Sequence, residues 1–337
     1  MSAQRLTISA IVPLFNGAEF IEESLGSVLA QTLPPDEIIV IDDGSTDNGT
    51  AIVERFAVGR PIMLIRKENG GQSSARNLGI AHATGDLIAL LDQDDVWYPH
   101  HLEELVKPFY GKRFPPLGWT YSNLDEVDRQ GRMMARSTLR MAHWIQHPKR
   151  DLIGCLRSDM FILPSASLMS REAFHTVGGF DERLSGFEDD DLFLRMFRAG
   201  YDNDYIDSAL SKWRIFRGSS SFSPRMAKSR MIYLRKLLAE YPDDPESARF
   251  YTRDILAPRF FPWLVRELAE ALRIGNRVSI ENALTDLVFL ARFHKIRARC
   301  MVAMVRPLTM LAILANQAPL LFRMMGMFRP VVRRMLR

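Results

Sequence analysis

The chain has 337 residues, 47% hydrophobic and 25% charged, with a formal net charge of +4. That composition buries a sizeable core and excludes a disordered chain, and the length fits one large domain with an appendage or two modest domains. Cys155 and Cys300 stand far apart without CxxC or Cys/His spacing, which speaks against a disulfide framework or a zinc site and fits a reducing cytoplasm.

The opening MSAQRLTISAIVPLF is a short polar lead into an apolar run broken by Pro13 and Asn16, so no signal peptide is expected. From residue 6 to about residue 95, apolar runs of strand length alternate with helical patterns. The runs are Leu6–Pro13, Glu37–Ile41, Ile62–Arg66 and Leu87–Leu91. Between them Ala18–Gln31, Asn48–Val58 and Ser73–Ala83 carry apolar residues at helical spacing. Strand–helix–strand repetition with nearly continuous apolar strands predicts a parallel sheet covered on both faces. Ligands on such sheets bind beyond the carboxyl ends of the strands, so the residues after each run are where chemistry belongs.

Further along, strands are expected around Gly118–Ser122 and Ile162–Leu168. Turns at Gly178-Gly179-Phe180 and Gly186 through Asp191 lead into a predicted helix Asp191–Ala199, and Tyr205–Phe216 reads as the last strand. From Met226 the pattern is helical, with breaks expected at Pro242, Pro245, Pro258, Pro262 and Gly275. The main boundary is placed near 222.

The strand ends are unusual in type. Asp92-Gln93-Asp94-Asp95 puts three carboxylates in four residues, whose mutual repulsion calls for a cation or for raised pKa values. A hard divalent ion such as Mg²⁺ or Mn²⁺ takes one or two carboxylates together with substrate phosphates and water. Asp42-Asp43-Gly44-Ser45-Thr46-Asp47 supplies acceptors for a base N–H or ribose hydroxyls, although helix capping alone accounts for Gly44, Ser45 and Thr46. Glu68 through Asn77 is a glycine-containing loop opening a helix, where free backbone N–H groups and Arg76 could meet a phosphate. It is neither GxGxxG nor GxxxxGK[ST], which counts against a dehydrogenase or a P-loop NTPase. Glu188-Asp189 could supply a general base, or merely acidic residues favoured at a helix N-terminus.

Together these segments resemble a family 2 glycosyltransferase of the GT-A fold over roughly Thr7 to Ser221. The matching pieces are Ile11 through Asn16, Ile41 through Asp47, Gly71 through Gly79 with Ala75-Arg76-Asn77, Leu91 through Asp95, Gly178-Gly179-Phe180, and Glu188-Asp189 followed by Asp191-Leu192 and Arg195. The resemblance implies an α/β GT-A (Rossmann-like), mostly parallel sheet with helices on both faces in residues 1–222; the pattern and charge beyond it predict a helical, basic C-terminal region in 223–337. The resemblance also implies an inverting, metal-dependent, single-addition transfer of a sugar from a nucleoside diphosphate sugar, a UDP-sugar by preference, to a lipid-linked or polysaccharide acceptor in surface-glycan assembly. Carried over by residue, Asp43 would contact the nucleoside base and Asp94 the ribose and metal. Asp95 would bind the metal (Mn²⁺ or Mg²⁺) and Asp189 would be the catalytic base, while Pro13, Phe15 and Arg76 would line the donor site.

One departure stands out: where many members show Tyr-Arg-x-His after the last strand, with the histidine joining the metal site, this chain reads Trp213-Arg214-Ile215-Phe216. The Gln-x-x-Arg-Trp motif and membrane spans of processive synthases are absent from the sequence. A nucleotidyltransferase would want a Gly-rich loop with Arg and Lys after the first strand, which Pro13 through Asn16 is not. A disabled transferase-fold scaffold fits Phe216 but not the intact aspartates.

The tail from Arg292 to Arg337 has ten Lys/Arg and no Asp/Glu, so it carries +10 and leaves the rest at −6. Pro307–Phe322 is apolar for 16 residues apart from Thr309, Asn316 and Gln317, shorter than the roughly 20 residues of a spanning helix. With flanking arginines it suits a helix lying at the inner face of an anionic membrane, the preferred expectation, or else an appendage packed on protein. A nucleic-acid partner is not expected from so apolar a tail.

Overall fold

The computed structural model describes residues 5–111, 113–216, 218 and 225–314. It divides into two compact units, Met1–Cys155 with Asp159–Arg230, and Leu156–Ser158 with Met231–Arg337.

The first unit opens with β1 (Ile8–Leu14), α1 (Ile21–Leu29), β2 (Glu37–Asp42), α2 (Gly49–Ala57), β3 (Ile62–Arg66), α3 (Gln72–His82) and β4 (Leu87–Leu90). It continues with β5 (Val96–Trp97), α4 (His101–Val106), β6 (Leu117–Val127), β7 (Met133–Ala135), α5 (Thr138–Met141), α6 (Leu152–Arg157), β8 (Ser167–Ser170), α7 (Arg171–Thr176), α8 (Glu188–Arg198) and β9 (Asp202–Arg214). All nine strands join one sheet in the order β3-β2-β1-β4-β8-β6-β9-β5, with β7 on β6. β3, β2, β1 and β4 run parallel, and so do β6 and β9, whereas β8 lies antiparallel between β4 and β6. The sheet is therefore of the expected GT-A type, made mixed by β8, β5 and β7.

The central apolar runs form strands because nearly every side chain in them is removed from water: all seven residues of β1 and all four of β4 are buried, while β3 at the edge is only partly covered. α3 lies unusually close to this layer. A Cβ on Gly79 would sit 2.4 Å from Ile11 Cγ2 and 3.2 Å from Ile41 Cγ1, so only glycine permits the contact that aims the N-terminus of α3 at the strand ends.

Two sequence expectations shift. The strand expected at Ile162–Leu168 begins only at Ser167, because Pro164 opens a 3₁₀ turn, Pro164–Ala166, ahead of it. The helix expected from Asp191 starts at Glu188: Phe187, in the left-handed region at φ 64°, turns the chain, and four carboxylates occupy the first turn, where the helix dipole favours them.

In the second unit, α9 (Arg225–Glu240), most of which belongs to it, is followed by α10 (Ala257–Ile274), α11 (Arg277–Ala291) and α12 (Ile296–Leu314). α11 packs between α10 and α12, burying Phe260, Leu264 and Leu268 with Leu284 and Leu287. Pro258 and Pro262 do not break the helix as expected. Pro258 enters at the first turn, where a missing N–H costs nothing, and a π-helical turn over Thr252–Leu256 immediately upstream absorbs the change of register. Gly275 does end α10, in the left-handed conformation at φ 78°. Among the described residues no helix is long and apolar enough to cross a membrane. Half of the tail segment expected at the membrane, from residue 315 on, lies outside them.

Candidate active site

A cavity of about 560 Å³ opens beyond the carboxyl ends of β1, β2 and β4, where a sheet of this kind places ligands. Pro13 and Phe15 line it from β1, Asp43 from β2, and Asp92 and Asp94 from the turn after β4. Phe15 is 42% exposed at the mouth while Pro13 is buried beneath it. The ends of β1 and β4 are locked together, since Phe15 N–H donates to Gln93 Oε1 at 2.8 Å and Gln93 Nε2 returns a bond to the Phe15 carbonyl at 3.1 Å. Asn16 ties the end of β1 to that of β2: its Oδ1 accepts from Thr46 N at 2.8 Å and its own N–H donates to Ser45 Oγ at 3.0 Å.

The two aspartates ending β2 divide the work. Asp42 closes its own loop, accepting from Ser45 N–H at 2.8 Å and from the Thr50 hydroxyl at 2.7 Å. Burial opposes its charge, but those hydrogen bonds prevail and hold its pKa below the usual value. Asp43, 3% exposed, accepts from Lys67 Nζ at 2.6 Å, Gly70 N–H at 2.9 Å and Gly71 N–H at 2.8 Å. It thereby shapes the glycine loop that opens α3, and Gly71 meets that demand at φ 89°. Three of roughly four acceptor positions on the carboxylate are filled, which leaves room for one donor from a ligand.

Arg76 is not among the residues lining the cavity. It is 1% exposed and bridges two acidic motifs, donating to Asp92 Oδ1 at 2.5 Å and to Glu188 Oε1 at 3.0 Å, with Gln72 Nε2 also on Asp92 Oδ1 at 2.9 Å. Burial works against its charge, yet Asp92 and Glu188 more than offset this and raise its pKa above the usual guanidinium value. Through Arg76, 112 residues before Glu188 and 16 before Asp92, the bridge brings the start of α8 to the β4 turn.

Within Asp92-Gln93-Asp94-Asp95 the roles separate. The Asp94 carboxyl faces the cavity, and burial together with the Asp92 charge pushes its pKa up to about 6. Asp95 is 3% exposed and does not line the cavity; its Oδ1 accepts from Arg214 N–H at 3.0 Å. Burial and the Asp94 and Asp92 charges push its pKa well above the carboxylate range. Asp189, in the first turn of α8, is half-buried, with Oδ1 accepting from Asp190 N–H at 2.8 Å. Burial and the charges of Glu188, Asp159 and Asp190 raise its pKa well above that of an ordinary aspartate. Among the described residues, no three His, Cys, Asp or Glu side chains form a metal cluster by themselves.

Three further cations belong to the site, and of these only Arg214 falls in a segment singled out in the sequence. Lys67 reaches Asp43, and Arg129 lines the cavity beside Phe216. Arg214, 3% exposed, donates from Nε to the Asp94 carbonyl at 2.8 Å and from Nη1 to the Arg129 carbonyl at 2.9 Å, and pairs with Glu23 at 2.6 Å. Phe216 packs on Phe20 with ring centroids 5.4 Å apart.

Comparison with known proteins agrees with this geometry. The family model described as glycosyl transferase family 2 matches residues 9–178, half of the chain, and residues 162–220 match one described as the N-terminal domain of galactosyltransferase. An uncharacterized glycosyltransferase of Rickettsia conorii is 34% identical over 191 residues, 57% of this chain and 31% of its own length. The chain spans about a third of the length of the first curated relatives it matches. Among solved structures, residues 1–349 of TarS from S. aureus in complex with UDP-GlcNAc superpose with a TM-score of 0.62 at 18% identity, over 93% of this chain and 88% of that one. Mannosyltransferase PcManGT from Pyrobaculum calidifontis, in complex with GDP-Man and Mn²⁺, gives 0.57 at 20% identity over 96% and 88%. Fold, strand-end motifs and family match agree: the chain belongs to glycosyl transferase family 2, with the GT-A fold.

Proposed function

We propose that the protein is an inverting, single-addition glycosyltransferase that takes a sugar from a nucleoside diphosphate donor, a UDP-sugar by preference, and adds it to a lipid-linked or polysaccharide acceptor. The observation carrying this reading is the cavity itself. Its size suits a nucleotide sugar, and Asp43, Asp92 and Asp94 converge on it from two strand ends. The nucleotide sugars bound to TarS and PcManGT support the same ligand class.

In this reading the remaining acceptor position on Asp43 takes a base N–H, with Pro13 and Phe15 against the ring. The Asp189 carboxylate removes the proton from the acceptor hydroxyl, whose oxygen attacks the anomeric carbon opposite the leaving group. The new C–O bond forms as the bond to the diphosphate oxygen breaks, the electron pair leaves with the diphosphate, and the proton passes from Asp189 to solvent. A raised pKa makes Asp189 a stronger base than a solvated aspartate while it is ionised. Arg76 keeps Glu188 and Asp92 charge-balanced on either side of this chemistry.

The donor set also suits a divalent ion. Asp94 carries a carboxyl whose ionisation is opposed by burial and by Asp92, a cost that a cation removes. Asp94 and Asp95 would hold Mn²⁺ or Mg²⁺ together with the diphosphate and water, and the ion would offset charge developing on the leaving diphosphate. Residues 1–222 are the catalytic domain in this reading, and the basic region 223–337 contacts the inner face of a membrane.

The test is release of nucleoside diphosphate from a panel of UDP-, GDP- and dTDP-sugars with Mn²⁺, Mg²⁺ or EDTA and with membrane extract as acceptor source. Turnover of one donor that is lost in EDTA and in Asp189→Asn supports the reading. Binding of donors without turnover under any condition would favour a disabled scaffold instead.

A further inference from the structure

The cavity that would receive a diphosphate is lined by four carboxylates, from Glu19, Asp43, Asp92 and Asp94, and among the described residues by one cation, Arg129. Arg129 belongs to no motif, yet it is held in place. The Arg214 guanidinium donates both to the Arg129 carbonyl at 2.9 Å and to the Asp94 carbonyl at 2.8 Å, fixing the two backbones around one buried group. The Arg129 guanidinium lies over the Phe216 ring, 5.3 Å from its centroid, so an aromatic floor carries its stem. Its fork is engaged by Glu19, Nε to Oε1 at 2.8 Å and Nη2 to Oε2 at 2.5 Å, with both side chains 50% exposed. Both side chains keep half their surface in water, so the pair is screened and open to exchange with a ligand that offers the guanidinium the same two acceptors.

We propose that Arg129 is a diphosphate-binding residue: it leaves Glu19 when a nucleoside diphosphate enters and turns its fork to the phosphate oxygens, a counter-charge supplied by the protein itself. This rests on the nucleotide-sugar reading of the cavity. A guanidinium recognises phosphate as it does carboxylate, with two parallel N–H···O bonds, so the exchange preserves its geometry. Glu19 then acts as a stand-in that keeps the cation aimed at the site. Phe216 supports Arg129 and offers no ligand of its own, so part of the charge compensation falls to the guanidinium.

The experiment is calorimetric titration of the full chain with UDP, GDP and the parent nucleosides, with Mn²⁺ and with EDTA. Arg129→Met is expected to weaken diphosphate binding about 10- to 100-fold, in EDTA as well as in Mn²⁺, and to leave nucleoside binding unchanged. Arg129→Lys falls between, because a lysine lacks the fork. Glu19→Gln tightens diphosphate binding by removing the competitor. The proposal is overturned if wild type and Arg129→Met bind the diphosphate equally, or if the variant loses nucleoside and diphosphate in equal measure. Should wild type bind no nucleoside diphosphate at all, the nucleotide-sugar reading falls and this one with it.

Discussion

Arg76 and Asp92 form an ion pair, Nη2 to Oδ1 at 2.5 Å, in which the guanidinium is 1% exposed and the carboxylate 23%. Its other arm holds Glu188, so one side chain of α3 positions both the turn after β4 and the first turn of α8. Arg76 was expected at the donor; its place is behind the motifs it aligns.

Arg76→Met would leave two carboxylates without their cation in a buried setting. Loss of about 3–5 kcal/mol of stability is expected. Arg76→Lys should recover only part, since one ammonium cannot span both partners as a fork does. Urea denaturation of the three proteins measures this; equal midpoints for all of them would mean that the bridge contributes nothing.

Asp189→Asn removes the proposed base and keeps its size. Transfer should fall on the order of 10²- to 10⁴-fold with donor affinity little changed. The pH profile of wild type gives a sharper reading. A base acts when deprotonated, and the Asp189 pKa is raised, so kcat/KM should drop as pH falls through a value above the ordinary aspartate range. An acid limb that lies at the ordinary aspartate value would assign the base elsewhere.

The fold was legible where burial is one-sided in its demands. β1, β2 and β4 are read from apolar runs because nearly all their side chains face protein, whereas β3, at the sheet edge, has no fully buried residue and shows only as a short apolar run; the motifs at the strand ends follow from the topology. β5, with two residues, and β7, with three, have no such signature; they exist because β9 and β6 offer edges to pair with. The start of α8 was misread because four carboxylates in a row resemble a turn, whereas the helix dipole welcomes them. The contacts of Arg129, Arg214 and Lys67 were illegible for a different reason. Their roles arise from contacts spanning 24 to 191 residues, which no local pattern encodes.

Asp43 is expected to show two effects when changed. In Asp43→Ala, Lys67 and the N–H groups of Gly70 and Gly71 lose their acceptor, so stability should fall by roughly 2–3 kcal/mol. The loop at 67–71 should also become a site of limited proteolysis. If Asp43 additionally meets the base, Asp43→Asn should weaken nucleoside binding more than it lowers the unfolding midpoint predicts. Nucleoside affinity unchanged in both variants would confine Asp43 to the loop.

Cation binding should depend on pH through Asp94. Its pKa of about 6 means that the carboxyl is largely protonated below that pH, and a protonated carboxyl does not ligate Mn²⁺. Mn²⁺ affinity in the presence of UDP should therefore weaken progressively as pH falls from 7 to 5 (both about one unit from that value). The same titration on Asp94→Asn should be weaker throughout and less steep over that range, with only Asp95 and the diphosphate left to titrate. A wild-type affinity that does not vary would mean that Asp94 is not a ligand.

Phe216 offers the reverse experiment, a gain of function. It stands where the Tyr-Arg-x-His resemblance implies a metal-binding histidine, and it lines the cavity together with Asp94. Imidazole is a good ligand for Mn²⁺ only when neutral, and the Arg129 guanidinium over this position would disfavour its protonated form. Phe216→His should therefore tighten Mn²⁺ binding in the presence of UDP, by roughly tenfold if the added ligand contributes about 1.4 kcal/mol. The cost should be some stability, because the ring also packs on Phe20 and carries Arg129. Calorimetric titration with Mn²⁺ separates the outcomes. Tighter binding in Phe216→His that disappears in the double variant with Asp94→Asn would put both residues around one ion, whereas affinity equal to wild type would mean that the cation binds out of reach of residue 216.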